Sequence, residues 1–187
     1  MKAKMNAKDI IIPAVALFLI ALVATALLAV VNMLTSGKIA EQEAASEAAA
    51  RQSVMTDAAS FDEKQLDGDF YFEAKDKDGN VVGYVFNTVG TSKGYAGALS
   101  VTVGIDTNGV ITGIVPGDLS NETPGLGQNA NKESFKSQFV GKSGEVKVDK
   151  DGGEIVSLTS ATITSRAITS GVQEALNLFT EVTGGAK

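Results

Sequence analysis

The chain contains no cysteine and no histidine. Without cysteine there are no disulfides, no thiolate-held iron–sulfur cluster and no thioether-bound haem. Without histidine, a Ser-His-Asp triad and any histidine-ligated metal are excluded. Basic charge is also scarce beyond the first nine residues. Setting aside Lys2, Lys4, Lys8 and Asp9 from the 16 basic and 22 acidic residues leaves 13 against 21, a net charge of −8. A domain of that sign repels phosphate backbones, so nucleic acid is not an expected partner.

What the chain does have is one long apolar run. The 22 residues from Ile10 to Val31 include only Pro13 and Thr25 outside the strongly apolar set. As a helix rising about 1.5 Å per residue they reach roughly 33 Å, enough for a hydrocarbon core of about 30 Å. A cleaved signal peptide needs an apolar region of only about 7–15 residues, so this run reads as a membrane anchor in contact with lipid. Pro13 lies near the expected first turn, where a missing N–H is tolerated. Lys2, Lys4 and Lys8 precede the span and Glu41, Glu43 and Glu47 follow it. The excess of positive charge before the span predicts a cytoplasmic N-terminus and an extracytoplasmic main domain. The expected organisation is a cytoplasmic segment at 1–9, a transmembrane helix at 10–34, a helical stalk at 35–60 and a domain at 61–187.

The stalk is rich in Ala, Glu and Gln, with weak helical spacing of Ala40, Ala44, Ala48 and Val54; it reads as a solvated spacer helix. From Asp69 the period becomes two. Phe70, Phe72 and Ala74 alternate with polar residues, and Val81 to Val89 follows the Asp78-Gly79 turn. The clearest strand runs from Tyr95 to Ile105, with Leu99, Val101, Val103 and Ile105 on one face. The small residues Ala98, Ser100, Thr102 and Gly104 on the other face leave room for a packed layer. Asn108-Gly109 predicts a tight hairpin into Val110 to Val115. A short helix is expected over Lys132 to Val140 with Phe135 and Phe139 on one face, then strands at Glu145 to Asp149 and Ile155 to Leu158. A final helix from about Thr162 to Thr180 carries an apolar stripe of Ile163, Ala167, Ile168, Val172, Ala175, Leu176 and Phe179. The class is α+β with largely antiparallel strands and flanking helices. A tyrosine opening a strand, Tyr95, reads as core.

Two short segments stand out. One is Glu122-Thr123-Pro124-Gly125-Leu126-Gly127, a loop. The other is Thr159-Ser160-Ala161-Thr162-Ile163-Thr164-Ser165, at the entry to the last helix. By residue type alone the second is either an ordinary helix cap, for which Ser and Thr are the usual residues, or an attachment site.

Taken together, Gly94-Tyr95-Ala96-Gly97, Val103-Gly104-Ile105-Asp106, the Glu122 to Gly127 loop and Ser160-Ala161-Thr162-Ile163-Thr164-Ser165 resemble a known FMN-binding domain family. It is the one shared by the G subunit of the Rnf ion-translocating complex and the C subunit of the sodium-pumping NADH:quinone reductase. Both also resemble this chain in having one N-terminal transmembrane helix, and length favours the Rnf G subunit. Three positions depart from the family's pattern: Val156 where Asp is usual, Ser160 where Gly is common, and Ser120 where a His often precedes the loop's Glu.

The resemblance implies FMN bonded through its phosphate to Thr162. Ser160 and Ala161 are small enough to admit a phosphate and an attaching enzyme. The N–H groups of Ile163, Thr164 and Ser165, free at a helix start, favour its negative charge. In the other loop, Pro124 fixes one backbone angle, Gly125 and Gly127 permit approach of a flat ring, and Leu126 supplies an apolar wall. Glu122 and Thr123 either bond the ring's polar edges or hold the loop. Lys93 and Arg166 read as solvated surface. No residue is assigned catalysis or metal ligation. A threonine hydroxyl with no histidine to activate it is a poor nucleophile, so the resemblance also implies a separate magnesium-dependent flavin transferase. Covalency suits a compartment where free FMN is scarce and a non-covalent carrier would lose it by mass action.

The implied role is an electron-transfer subunit of an ion-translocating ferredoxin:NAD oxidoreductase. It performs no complete reaction alone, and its partners are the complex's membrane flavin and iron–sulfur subunits. The span carries no charged residue and so forms no ion path itself. The alternatives are the corresponding quinone-reductase subunit, a pilin-like structural protein, whose apolar helix would carry an early Glu that is missing here, and an anchored ligand-binding domain.

Overall fold

A long apolar run with no polar break satisfies its backbone in an apolar medium only as a helix. In the computed structural model, which describes residues 7–66 and 68–184, that run lies within α1, an unbroken helix over Ala7–Val54. Lys2 and Lys4, on which the expected orientation rests, lie outside the described residues. Pro13 sits inside α1 rather than in its first turn, because the helix already begins at Ala7. Large apolar side chains such as Leu17, Phe18 and Leu28 are exposed all round the helix, and it is long and apolar enough to cross a membrane.

The chain divides into two compact units, one ending at Glu47 and the other beginning at Ala48. In the second unit five strands follow: β1 Ser60–Leu66, β2 Asp69–Lys75, β3 Val81–Val89, β4 Ser100–Asp106 and β5 Ile111–Pro116. Each pairs antiparallel with the next, a meander in the order β1-β2-β3-β4-β5. β1 precedes the first strand expected from the sequence. Its residues, Ser-Phe-Asp-Glu-Lys-Gln-Leu, are mostly polar and exposed, as suits an edge strand. β4 begins five residues later than expected, because Tyr95 to Leu99 form a turn and its exit.

The two faces of the sheet are covered differently. On one, Val101, Val103 and Ile105 of β4, Phe86 of β3, and Ile111 and Ile114 of β5 pack against the final helix, α3, Thr162–Val182. All of the expected stripe on α3 is buried except Ile163, which is 52% exposed. The short helix α2, Glu133–Lys136, is briefer than expected, but Phe135 and Phe139 do share a face, edge to face with centroids 5.4 Å apart.

On the other face lie Val54 and Met55, at and just past the end of α1, with Ala58, Ala74 and Val85. The last residues of the expected spacer are therefore core. Gly104 makes this approach possible: a Cβ there would lie 2.5 Å from the Val54 carbonyl oxygen. The Thr112 hydroxyl donates to that same oxygen at 2.5 Å.

Two local expectations are corrected. The β4–β5 connection is not a two-residue turn. Asp106 accepts hydrogen bonds on one carboxylate oxygen from the N–H groups of Asn108 (2.8 Å) and Val110 (2.9 Å), and only Gly109 has a positive φ, 82°. An aspartate that captures two backbone donors builds a longer turn than Asn-Gly alone suggests. Neither Glu145 to Asp149 nor Ile155 to Leu158 joins the sheet. They meet in one parallel bridge, Val148 with Ile155, before the chain runs to α3.

Candidate functional site

The Glu122 to Gly127 loop and the start of α3 are far apart in sequence, and one buried side chain joins them. Glu122 is 1% exposed. One of its carboxylate oxygens accepts from the Thr164 hydroxyl at 2.6 Å, the other from the Ala96 N–H at 3.0 Å. A buried carboxylate is tolerated when both oxygens are hydrogen-bonded in this way. The packing around it is tight. A Cβ on Gly127 would come within 2.6 Å of Glu122 and 2.8 Å of Thr164, and one on Gly94 within 2.8 Å of Glu122. Gly127 is thus small because it adjoins the Glu122–Thr164 pair, a nearer cause than room for a flat ring.

Beside this brace opens a pocket of about 430 Å³, lined by Tyr95, Glu122, Thr123, Leu126, Gly127 and residues 160–164. The volume falls within the roughly 300–1,000 Å³ usual for small-molecule sites. Nine of the ten residues predicted from the sequence line it: Thr162, Ser160, Ala161, Ile163, Thr164, Glu122, Thr123, Leu126 and Gly127. Gly125 does not. It turns at the loop's outer side with φ 75°, where Asn129 donates to its carbonyl. Tyr95 lines the pocket although its sequence context reads as core; it is 74% exposed. The signal that could have found it is the pair of flanking glycines, which marks a turn rather than a strand.

The hydroxyls of the Thr159 to Ser165 run have distinct fates. Thr164 binds Glu122. Ser165 donates to the Ala161 carbonyl and accepts from the Leu158 N–H, both at 3.0 Å. Thr162 is the first residue of α3, with Ala161 at the N-cap position and no side-chain cap. The ordinary-cap reading of Thr162 therefore fails, and its hydroxyl has no hydrogen-bond partner among the described residues. The Ser165 N–H, expected to be free, donates to the Ala161 carbonyl at 3.0 Å. Those of Ile163 and Thr164 precede the first intrahelical bond. Ser160 has φ 60°, the one non-glycine with a positive φ among the described residues.

The approach to α3 is held from outside the pocket. Asp149 accepts from the Ser157 N–H at 3.0 Å and from its hydroxyl at 2.5 Å. Those bonds, with Lys150 adding a smaller effect, pull the Asp149 pKa down to about 2. Val156, exposed, is held by its backbone: its N–H donates to the Gln138 side chain at 2.7 Å. Arg166 makes a two-pronged pair with Asp151, at 2.7 and 2.6 Å. That pair lowers the aspartate's pKa and raises the guanidinium's. Ser120 is exposed and bonds Asp118 instead of facing the pocket. A larger cleft of about 510 Å³ lies along α3 between residues 145–148 and Gln173. Its walls include Arg166 and Asp151, which already pair with each other, and no residue of either predicted segment lines it.

A phosphate ester with an attached flat ring suits the first pocket. It offers a free hydroxyl on an uncapped helix start, apolar Leu126 and Ile163, and an aromatic rim. Comparison with known proteins agrees. Residues 94–177 match the FMN-binding domain family, and residues 1–54 match the RnfG N-terminal region. The G subunit of the Na(+)-translocating ferredoxin:NAD(+) oxidoreductase complex of Acetobacterium woodii is 37% identical, over 87% of this chain and 88% of that protein. The chain belongs to the Rnf G-subunit family. The G subunit of the proton-translocating complex of Clostridium ljungdahlii is 35% identical, over 85% of each chain. Among solved structures, the C subunit of the Na(+)-translocating NADH-quinone reductase from Parabacteroides distasonis is 27% identical. The match covers 62% of this chain and 61% of that one, with a TM-score of 0.45.

Proposed function

We propose that this chain is the membrane-anchored electron-transfer subunit of an Rnf-type ferredoxin:NAD oxidoreductase and carries FMN as a phosphoester on Thr162. One observation carries the reading. In a run of hydroxyl residues whose buried members, Thr164 and Ser165, are tied into the fold, the half-buried Thr162 alone combines a place on the pocket wall with an uncapped helix start. The N–H groups of Ile163 and Thr164 and the helix dipole favour a phosphodiester's remaining charge. Ser160 and Ala161 give the phosphate access, and Leu126 lines the wall offered to the ring. Thr123 supplies polar atoms at the rim, while Gly125 shapes the loop from outside. When bound, the flavin accepts and passes on electrons; the chain's part is placement and electrostatics.

The family resemblance implies attachment by a separate flavin transferase, and the absence of any histidine to activate the hydroxyl supports that reading. The apolar helix anchors the protein in lipid, and the charge asymmetry about it supports an extracytoplasmic domain. The membrane flavin and iron–sulfur subunits of the complex are the partners. The relatives named above differ between sodium and proton as coupling ion, and no charged side chain lies between Ile10 and Val31 of this chain to choose between them.

The test is the intact mass of the denatured, membrane-purified protein with peptide mapping across Ser157 to Arg166. The expected result is a mass increase of one FMN less one water on Thr162, lost in Thr162→Val without loss of folding. An unmodified chain from cells with an active flavin transferase would overturn the proposal.

A further inference from the structure

The chain has three tyrosines, and the structure treats one unlike the others. Tyr71 stacks on Phe86 with centroids 5.8 Å apart, and Tyr84 meets Phe179 at 5.6 Å. Tyr95 makes no ring contact among the described residues and is 74% exposed, yet it lines the pocket that contains Thr162. An aromatic left in solvent on a mobile tip would mean little. This one is on a restrained turn. The Gly94 N–H donates to the Gly97 carbonyl at 2.6 Å, closing the turn around Tyr95. The next residue, Ala96, is pinned by its N–H to Glu122. Gly94 has no space for a side chain, with Leu99 and Glu122 both inside 3.0 Å of a Cβ.

The other oxygen of Glu122 holds Thr164, two residues beyond Thr162. A single buried carboxylate therefore ties the turn that bears Tyr95 to the helical turn that bears Thr162, from beneath the pocket. Each oxygen accepts a bond from the protein, so this carboxylate braces the scaffold from the pocket wall. What it fixes in place is a flat aromatic surface beside a site already read as holding a flat ring. Aromatic rings pair favourably in offset-stacked or edge-to-face geometry, and a pre-fixed ring loses little freedom on pairing.

We propose that Tyr95 is the stacking partner of the flavin ring and that Glu122 is the positioning residue that holds Tyr95 and Thr162 in register. The proposal rests on FMN at Thr162. A ring held by Tyr95 rotates with the protein, whereas an unheld ring swivels on its phosphoester tether. The readout is the fluorescence anisotropy of the oxidised flavin in the full-length protein in detergent. Intact mass is measured on every variant, so that loss of attachment is seen separately.

Tyr95→Leu is expected to keep the FMN mass, lower the anisotropy and raise flavin emission severalfold. Tyr95→Phe, which keeps a ring, is expected to retain the anisotropy. Glu122→Gln can accept from Ala96 with its amide oxygen and donate to the Thr164 hydroxyl, so it is expected to behave as wild type. Glu122→Ala is expected to match Tyr95→Leu, with no further drop in the double variant. If circular dichroism shows Glu122→Ala unfolded, Thr164→Val cuts the same brace more gently and is expected to lower the anisotropy partway. Fully flavinylated Tyr95→Leu with unchanged anisotropy and emission would overturn the stacking. Unchanged anisotropy in folded Glu122→Ala or in Thr164→Val would overturn the positioning role. A wild-type chain without the FMN mass would instead sink the attachment on which the proposal rests.

Discussion

Ser160 shows how one residue meets two demands. Its φ of 60° lies in the left-handed region, where a Cβ costs roughly 1–2 kcal/mol. Glycine, the residue common at this place in the family pattern, avoids that cost but leaves a freer unfolded chain, an offset of about 0.4–1 kcal/mol. Ser160→Gly is therefore expected to stabilise the domain by about 0.5–1 kcal/mol, read as a higher urea midpoint with an unchanged slope. A lower midpoint would mean that the serine hydroxyl supports the fold. Thr162, two residues on, shows the complementary point. Its residue type suggests a cap, but the cap position belongs to Ala161, and the hydroxyl is left to the pocket.

Among the elements, the end of α1 contributes most that the pattern of the sequence concealed. The stretch reads as a spacer because alanine and glutamate dominate it. Val54 and Met55 nevertheless close one face of the sheet, with Arg51 stacked 4.2 Å over the Phe72 ring. A chain beginning at Ala48 is expected to fold and melt like the full-length domain, because its core is complete from that residue. A chain beginning at Ser60 loses Val54, Met55 and Ala58 and uncovers Ala74 and Val85. It is expected to lose at least about 2–5 kcal/mol, the range for deleting one large buried side chain, and to aggregate. Calorimetry and gel filtration of the two truncations check this. Equal melting temperatures would show that the cover is dispensable.

For the whole molecule, the absence of histidine sets the response to pH. No side chain has an ordinary pKa between about 5 and 8, so stability is expected to be nearly flat there. Below that range, several carboxyls are held under their ordinary values. Ser157 draws Asp149 down to about 2. Lys75 lowers Asp62, Asn80 lowers Asp76, Arg166 lowers Asp151 and Lys142 lowers Glu154. A depressed folded pKa contributes stability that is present above the unfolded value and is lost as pH falls through the folded one. Stability should therefore decline from about pH 4 downward, and the Asp149 share should disappear between 3.8 and about 2. Thermal melts across pH 8 to 2 test this, with Asp149→Asn expected to flatten the lowest part of the curve. A break near pH 6.5 would contradict it.

The long apolar helix, the class of fold and the two segments that meet at the pocket were legible in the sequence because each depends on local chemistry. A continuous apolar run needs lipid or a core, the Asp78-Gly79 turn announces the strand from Val81 to Val89, and α3 carries its own stripe. The bounds of β3 were read to the residue. β1 was not legible, because an edge strand of charged residues lacks alternation and is defined only by its partner, β2. The two segments between Glu145 and Leu158 misled for the opposite reason: their local pattern resembles strands, but the fold joins them only to each other, through the Val148–Ile155 bridge, and not to the sheet. The residue types at Thr162, Leu126 and Ile163 were enough to nominate a site. Only tertiary structure decided that Glu122 faces inward, that Tyr95 stands in the open and that Gly125 turns away. The first two depend on neighbours 25 or more residues distant, and burial and hydrogen bonding across such separations are set by packing rather than by local pattern.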